Sequence, residues 1–218
     1  MSGIGSWVDF VTSRWDEVVS NTVDHAVLVV LVVLTATVFA VGLGIAVRGR
    51  EAPKAVAIGI VGIGLTIPSL ALFTLFIPIV GLGFAPAFLA LFIYALLPVL
   101  RNTVTGLEQV DPAVIEAAKG MGMNRRQRLM RIQLPLAWPV IMAGVRISAL
   151  LTTGIAAIGV LVAGPGLGEF IKDGLRRLGL PNSMEAVWTG TVFVILLALA
   201  IDIVLAIIQR FTTSRGLR

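Results

Sequence analysis

The hydropathy pattern is dominated by two stretches that carry no charge. Residues 26–47 contain no charged side chain, and neither do residues 55–100. About 20 apolar residues are enough for an α-helix to cross the hydrocarbon core of a bilayer. Long apolar runs form helices there because each backbone amide then finds a carbonyl within its own segment. The pattern predicts an all-α polytopic membrane protein.

Five segments reach spanning length, at residues 26–47, 55–80, 84–100, 136–163 and 187–209. The second contains Pro68 and Pro78, and proline inside a helix removes a hydrogen bond and kinks the chain. We expect this span to be kinked, or tilted and broken near its outer end, but to cross only once. Five transmembrane helices follow, with a long polar loop at residues 101–135 between the third and the fourth.

Composition and charge agree with this topology. The chain is 57% hydrophobic and 13% charged, against about 25% charged residues in soluble domains. Twelve of the seventeen basic residues lie in three segments that five spans place on one side, at 48–54, 101–135 and 210–218. Because cytoplasmic loops are rich in Lys and Arg, that side is the cytoplasm. The net charge of +5 therefore reflects orientation, and no nucleic-acid partner is expected.

This orientation divides the chain into three parts. Residues 1–25 form an external segment, residues 26–209 the transmembrane domain, and residues 210–218 a cytoplasmic tail. The first part lacks the basic start, short apolar core and small-residue cleavage site of a signal peptide, so no removable leader is expected.

The cytoplasmic loop has the signals of two short helices. Asp111-Pro112 is a helix start, because Asp caps free amides and Pro suits the first helical position. The first helix should break across Gly120 and Gly122. A second start follows at Asn124, with Gln127 three residues later as a variant capping box. Leu134-Pro135 is expected to end that second helix and lead into the fourth span.

The residue order in this loop resembles the EAA signature of ABC importer permeases. The matching positions, at the family's spacing, are Glu116, Ala117, Ala118, Gly122, Ile132, Leu134 and Pro135. The resemblance implies a type I importer permease fold in the bacterial cytoplasmic membrane, with these residues coupling the chain to an ATPase. It also implies two cytoplasmic ATPase subunits, an extracytoplasmic substrate-binding protein, and a second permease, either a copy or a paralogue.

Other segments resemble one branch of that family, the permeases of glycine betaine, choline and carnitine importers. They are Thr66–Leu72 followed by Ile77-Pro78, Tyr94–Pro98 leading into Arg101–Thr103, and the residues flanking the EAA element. The resemblance covers roughly residues 40–210. It makes Thr66, Pro68 and Ser69 candidates for the pathway or for the kink.

The chain lacks residues that other functions need. No Lys follows a glycine in a phosphate-binding loop, so ATP and Mg²⁺ are expected on the partner ATPase, and no cofactor on this chain. There is no Cys and one His, so we expect no metal site and no catalytic residues. The four Trp residues are scattered in sequence and suit interface anchoring better than a cage for a quaternary ammonium group.

Two charges lie well inside predicted spans. Arg146 and Asp202 are each roughly 12–15 Å from the inner end of their span at 1.5 Å per residue, and such residues are costly in lipid. An ion pair that locks two helices is one interpretation, and a role in the pathway or in proton coupling is the other.

His25 is interpreted as an interfacial polar residue. Residues 164–186 have helical amphipathic spacing, which predicts a helix lying on the membrane or contacting the binding protein.

Rival functions remain open at this point. A secondary transporter would need an internal ion site and usually duplicated halves, and neither is visible in the sequence. An intramembrane enzyme would need a catalytic constellation that is also missing. An ABC permease for another solute, such as an amino acid, is the serious competitor, because the EAA element is shared across substrates.

Overall fold

The computed structural model of the chain describes residues 3–213, which are almost entirely helical. The helices, in chain order, are α1 (Ile4–Ser13), α2 (Trp15–Val47), α3 (Glu51–Thr66), α4 (Ser69–Val80), α5 (Phe84–Glu108), α6 (Pro112–Gly120), α7 (Arg125–Arg128), α8 (Leu134–Ala156), α9 (Gly168–Arg176) and α10 (Ser183–Thr212). A π-helical turn, Leu129–Gln133, joins α7 to α8, and a 3₁₀ turn, Gly159–Val162, follows α8.

Within residues 3–213, four continuous helices are long and apolar enough to cross a membrane, and the bent pair α3–α4 would be a fifth span. The all-α fold with four or five membrane helices agrees with the sequence prediction. The bounds of the first span differ at its start, because α2 begins at Trp15 rather than near residue 26. Its 33 residues extend about 50 Å, well beyond a hydrocarbon core of about 30 Å. Hydropathy detects only the apolar part of such a helix.

The second span is broken rather than merely kinked. Its two halves, α3 and α4, meet at an angle of 97°. The break lies at Ile67-Pro68, where Ile67 is extended (φ −76°, ψ 129°), as the residue before a proline prefers. Pro78 lies inside α4 without ending it. The prediction that the break lies near the outer end of the span is wrong, since one proline at mid-span makes the whole turn.

The core is built around α5, which packs against α2, α3, α4 and α8. The most extensive contact is between α5 and α8, where two glycines remove the side chains that would keep the helices apart. A Cβ on Gly106 would lie 3.0 Å from the Ala137 carbonyl oxygen, and one on Gly144 would lie 2.7 Å from the Pro98 carbonyl oxygen. Small residues at such contacts are typical of packed membrane helices. The two helices that flank the polar loop are therefore the most tightly joined pair.

The end opposite the polar loop, which we call the outer end after the predicted orientation, is closed by the 3₁₀ turn, α9 and the start of α10. The apolar face of α9 packs against α10, with Phe170 buried and Gly174 close to Val187. The sequence predicted that the membrane covers the apolar face of this amphipathic segment, and that prediction is wrong. The helix was correctly expected, but its partner is α10.

His25 was interpreted as an interfacial residue, and the structure corrects this. Its ring is fully buried between α2, the end of α8 and the start of α9. Nε2 lies 3.1 Å from the Thr153 carbonyl oxygen, and Nδ1 accepts a hydrogen bond from the Leu167 amide at 3.3 Å. The Thr153 contact needs a proton on Nε2 and the Leu167 contact needs a free lone pair on Nδ1, so the two bonds fix one neutral tautomer. His25 thus joins three elements of the outer end.

Candidate functional site: the coupling elbow and the polar residues between spans

The first half of the polar loop is the short helix α6, and its start follows the sequence signal. Asp111 Oδ1 accepts a hydrogen bond from the Ala113 amide at 2.8 Å, and Pro112 occupies the first turn. An aspartate cap satisfies an amide that would otherwise have no partner, and such caps contribute about 1 kcal/mol.

Gly122 ends α6 with a left-handed residue. Its φ is +80°, its amide donates to the Lys119 carbonyl at 2.9 Å, and the next amide, Met123, donates to the Ala118 carbonyl at 3.1 Å. This pair of bonds is the Schellman motif, in which the left-handed position favours glycine. A Cβ at Gly122 would meet nothing within 4 Å. The position therefore requires glycine for its backbone conformation and not for close packing.

The second half of the loop begins with a reciprocal capping box. The Gln127 amide donates to Asn124 Oδ1, and the Asn124 amide donates to Gln127 Oε1, each at 2.9 Å. Arg128 then donates from Nη1 to the Met123 carbonyl at 2.6 Å, which ties the second helix to the turn. We call residues 111–134 the elbow. The hydrogen bonds that set its two arms join residues at most five positions apart.

The second helix of the elbow does not end where the sequence predicted. Leu134-Pro135 was expected to terminate the second helix, but α7, the π turn and α8 form one continuous rod from Arg125 to Ala156. Pro135 has no amide proton and its ring crowds the carbonyl four residues earlier. The π turn accommodates this, because the Leu134 amide bonds to the Leu129 carbonyl five residues back. The second arm of the elbow is thus a direct extension of α8.

The residues of the EAA pattern divide between two faces. Glu116 and Ala117 are exposed, and Glu116 pairs with Lys119 one turn later. Ala118 is buried, and Ile132, Leu134 and Pro135 are half-buried. Leu129 and Leu134 pack on a small cluster formed by Leu107, Ala137 and Ile141. That cluster anchors the elbow to the inner ends of α5 and α8.

Thr66, Pro68 and Ser69 all lie at the break between α3 and α4. Thr66 is exposed and donates to the Ile63 carbonyl at 2.8 Å, while Pro68 precedes the first residue of α4. The Tyr94 hydroxyl donates to the Ile67 carbonyl, which the break leaves without a helical partner. The sequence predicted a role for the three residues at the break. It did not predict that Tyr94 supports the break through a hydrogen bond.

The structure brings Arg146 and Asp202 together. Nε and Nη2 of Arg146 donate to Oδ1 and Oδ2 of Asp202 at 2.7 and 2.8 Å, which is the two-pronged geometry of a strong pair. The pair joins α8 to α10. Nearer the inner end, Trp138 Nε1 donates to Thr212 Oγ1 at 2.7 Å between the same helices. These bonds, together with Gln209 to the Pro139 carbonyl at 3.3 Å, favour the interpretation of a helix lock.

One contact near the elbow was missed from the sequence. Lys54, at the start of α3, pairs with Glu51 at 2.9 Å and with Glu108 at 2.7 Å. Glu108 is the last residue of α5, three positions before the elbow. The spacing of Lys54 and Glu51 is a recognisable helical pair, but nothing local points to a partner 54 positions away.

Helices long and apolar enough to span a membrane, with a structured elbow between the third and fourth spans, are the fold of a polytopic membrane protein. The chain belongs to the family described as binding-protein-dependent transport system inner membrane component, whose model matches residues 36–214. It is therefore a multi-pass protein of the inner membrane and the permease component of such a system.

The relatives and the fold agree with this assignment. The chain is 39% identical over 211 residues to the choline transport system permease protein OpuBB of Bacillus subtilis, covering 97% of this chain and 95% of that one. It is 38% identical over 209 residues to the glycine betaine/carnitine/choline transport system permease protein OpuCB of the same organism, covering 96% and 94%. Its fold matches a chain of the MetNI methionine ABC transporter in inward-facing form, with a TM-score of 0.77 at 23% identity, covering 90% and 96%.

Proposed function

We propose that this chain forms the translocation pathway for osmoprotectants bearing a quaternary ammonium group, as the permease subunit of an ATP-driven importer. The observation that carries the proposal is near-full-length similarity, at 38–39% identity, to permeases named for choline and for glycine betaine, carnitine and choline. Similarity to the methionine transporter supports the fold alone, so the amino-acid alternative has no comparable support.

The chain itself is non-catalytic in this proposal. ATP and Mg²⁺ are bound by two cytoplasmic ATPase subunits, and an extracytoplasmic binding protein delivers the substrate. The description of the family as binding-protein-dependent supports such partners. A second permease, identical or paralogous, completes the pathway.

The elbow is the surface on which the ATPase docks. Its outward side combines the exposed apolar side chains of Val114, Met121 and Met130 with exposed charges such as Glu116 and Arg125. An exposed apolar patch with a charged rim is typical of a protein interface. Because the second arm is continuous with α8, and α8 packs tightly against α5, displacement of the elbow moves both spans together.

Orientation follows from the same role, with the elbow in the cytoplasm and α1 outside. The Cys-free chain allows a simple check with single cysteines. An impermeant thiol reagent applied to intact cells is expected to label a cysteine at exposed Ser13 and not one at exposed Met121. The reverse pattern contradicts the orientation.

The substrate is tested by uptake. The chain is produced together with its ATPase and binding protein, and uptake of labelled choline, glycine betaine, carnitine, proline and methionine is compared at high osmolarity. We expect uptake of at least one quaternary ammonium compound that depends on ATP and on the binding protein. Uptake of methionine or proline in preference to all three quaternary compounds contradicts the proposal.

A further inference from the structure

The outer end of the molecule contains a cavity that brings two distant tryptophans together. It measures about 260 Å³ and lies between α1 and the start of α10. Its lining residues are Gly3, Ile4, Trp7, Glu185, Trp188 and Val192. Small-molecule sites measure roughly 300–1,000 Å³, so this cavity suits only a small ligand.

A carboxylate without a basic partner lies in this cavity. Glu185 is only 7% exposed, and its Oε1 accepts a hydrogen bond from Ser6 Oγ at 3.1 Å. Among residues 3–213, Glu185 is in no ion pair, and Oε2 has no hydrogen-bond partner. A carboxylate oxygen without a hydrogen-bonding or basic partner attracts a nearby cation. The site therefore favours a ligand with positive charge.

Trp7, one of the two aromatic walls, is held in place before any ligand arrives. Trp7 Nε1 donates to Thr189 Oγ1 at 3.1 Å, and the Thr189 hydroxyl donates to the Glu185 carbonyl at 2.7 Å. Trp188 lies three positions after Glu185, so both point to the same side of α10. Indole is the best side chain for attracting an organic cation through its ring face. Fixing the Trp7 ring in advance reduces the entropy lost on binding.

We propose that this cavity is a low-affinity binding site for a small organic cation, with a quaternary ammonium such as choline as the best ligand. Glu185 neutralises the charge, and Trp7 and Trp188 contact the methyl groups. Zwitterions such as glycine betaine bind less well, because their own carboxylate is repelled by Glu185. The inference rests on the proposed function for its place in transport, where the site receives cations at the outer face.

The test measures binding to the full-length chain in nanodiscs of phosphatidylglycerol, a lipid that offers no ammonium group. Tryptophan fluorescence is followed while choline, tetramethylammonium or glycine betaine replaces sodium chloride at constant ionic strength. We expect saturable changes with choline and tetramethylammonium, with a Kd on the order of 1 mM. Glycine betaine is expected to bind about tenfold more weakly.

Four variants show which residues cause the fluorescence change that accompanies choline binding. Glu185→Gln keeps an acceptor for Ser6 but removes the charge, and Trp188→Leu removes a half-exposed wall that the fold does not need. Each is expected to raise the Kd for choline about tenfold. Glu17→Gln, an exposed acid, and Trp15→Phe, a ring outside the cavity, should leave the Kd unchanged.

Three outcomes overturn the inference: no saturable change, equal affinity for choline and glycine betaine, or undiminished choline binding in both Glu185→Gln and Trp188→Leu. Because this assay uses neither ATPase nor binding protein, its failure is distinguishable from failure of the proposed function. Normal uptake by the assembled transporter with no binding to the isolated chain would refute the site and leave the transport proposal standing.

Discussion

The elbow and the outer end of this molecule are held together in opposite ways. In the elbow, the bonds that set the shape join residues two to five positions apart, such as Asp111 with Ala113 and Arg128 with Met123. At the outer end, side-chain bonds between separate elements join residues far apart in the sequence, 128 positions for His25 with Thr153 and 182 positions for Trp7 with Thr189.

This difference has a mechanical consequence. An element whose shape is encoded by its own residues keeps that shape while it is moved as a unit, as a transmission element must. An element fixed by distant partners keeps its shape only while the helices that carry those partners stay in place. Opening of the helix bundle should therefore deform the outer end before it deforms the elbow.

The largest expected effect on stability follows removal of the His25 ring. His25→Ala leaves a cavity and two polar groups without partners, and we expect a loss of about 3 kcal/mol. Thermal unfolding of the purified chain in detergent gives the size of the loss. Hydrogen exchange should rise at residues 157–168 and stay unchanged in the elbow. Val23→Ala, at an exposed position of the same helix, serves as the control. An equal rise in hydrogen exchange at residues 157–168 and in the elbow would contradict the claim that the two regions are held together differently.

The Arg146–Asp202 pair is the next test, since it is a long-range tie between α8 and α10. Asp202→Asn or Arg146→Gln leaves one charge without its partner, and because both side chains are partly exposed the loss should be at most about 2–3 kcal/mol. The exchanged pair, with Asp at 146 and Arg at 202, should regain part of the folded yield. Single variants with full yield and full transport would show that the pair neither locks the helices nor serves the pathway.

The smallest of the three effects comes from two glycines that both have positive φ. Gly166 (φ +125°) lies against His25, where a Cβ would be 2.8 Å from Nδ1, whereas Gly81 (φ +78°) has open space around it. Gly81→Ala should cost about 1 kcal/mol from backbone strain alone, and Gly166→Ala about 2 kcal/mol, because the ring must also move. The difference between their melting temperatures isolates the packing contribution. Equal melting temperatures for the two variants would mean that the residues around Gly166 rearrange to accommodate the extra methyl group at no additional cost.

The same contrast explains what could be predicted from the sequence. The caps at Asp111 and Asn124 and the glycine at 122 are local signals, and the spans are visible as apolar runs, so both were predictable. The burial of His25 and the shared cavity of Trp7 and Trp188 arise from packing between distant segments, which no local pattern encodes. The π turn was missed for another reason: a proline usually ends a helix, and a five-residue bond that lets the helix continue has no sequence signature.

The central claim is that the elbow transmits motion between the ATPase and the spans, and Gly122 tests it most directly. Gly122→Val forces a β-branched residue into the left-handed region, which should distort the elbow while the spans insert normally. Gly120→Ala is the matched control, since Gly120 has open space around it and no positive φ. ATP hydrolysis and substrate uptake are measured together in proteoliposomes containing the assembled transporter. The account predicts that Gly122→Val loses the ATPase subunit or lowers the uptake per ATP hydrolysed by about tenfold or more, and that Gly120→Ala behaves as the unmodified protein. Normal assembly and normal uptake per ATP in Gly122→Val would contradict the claim.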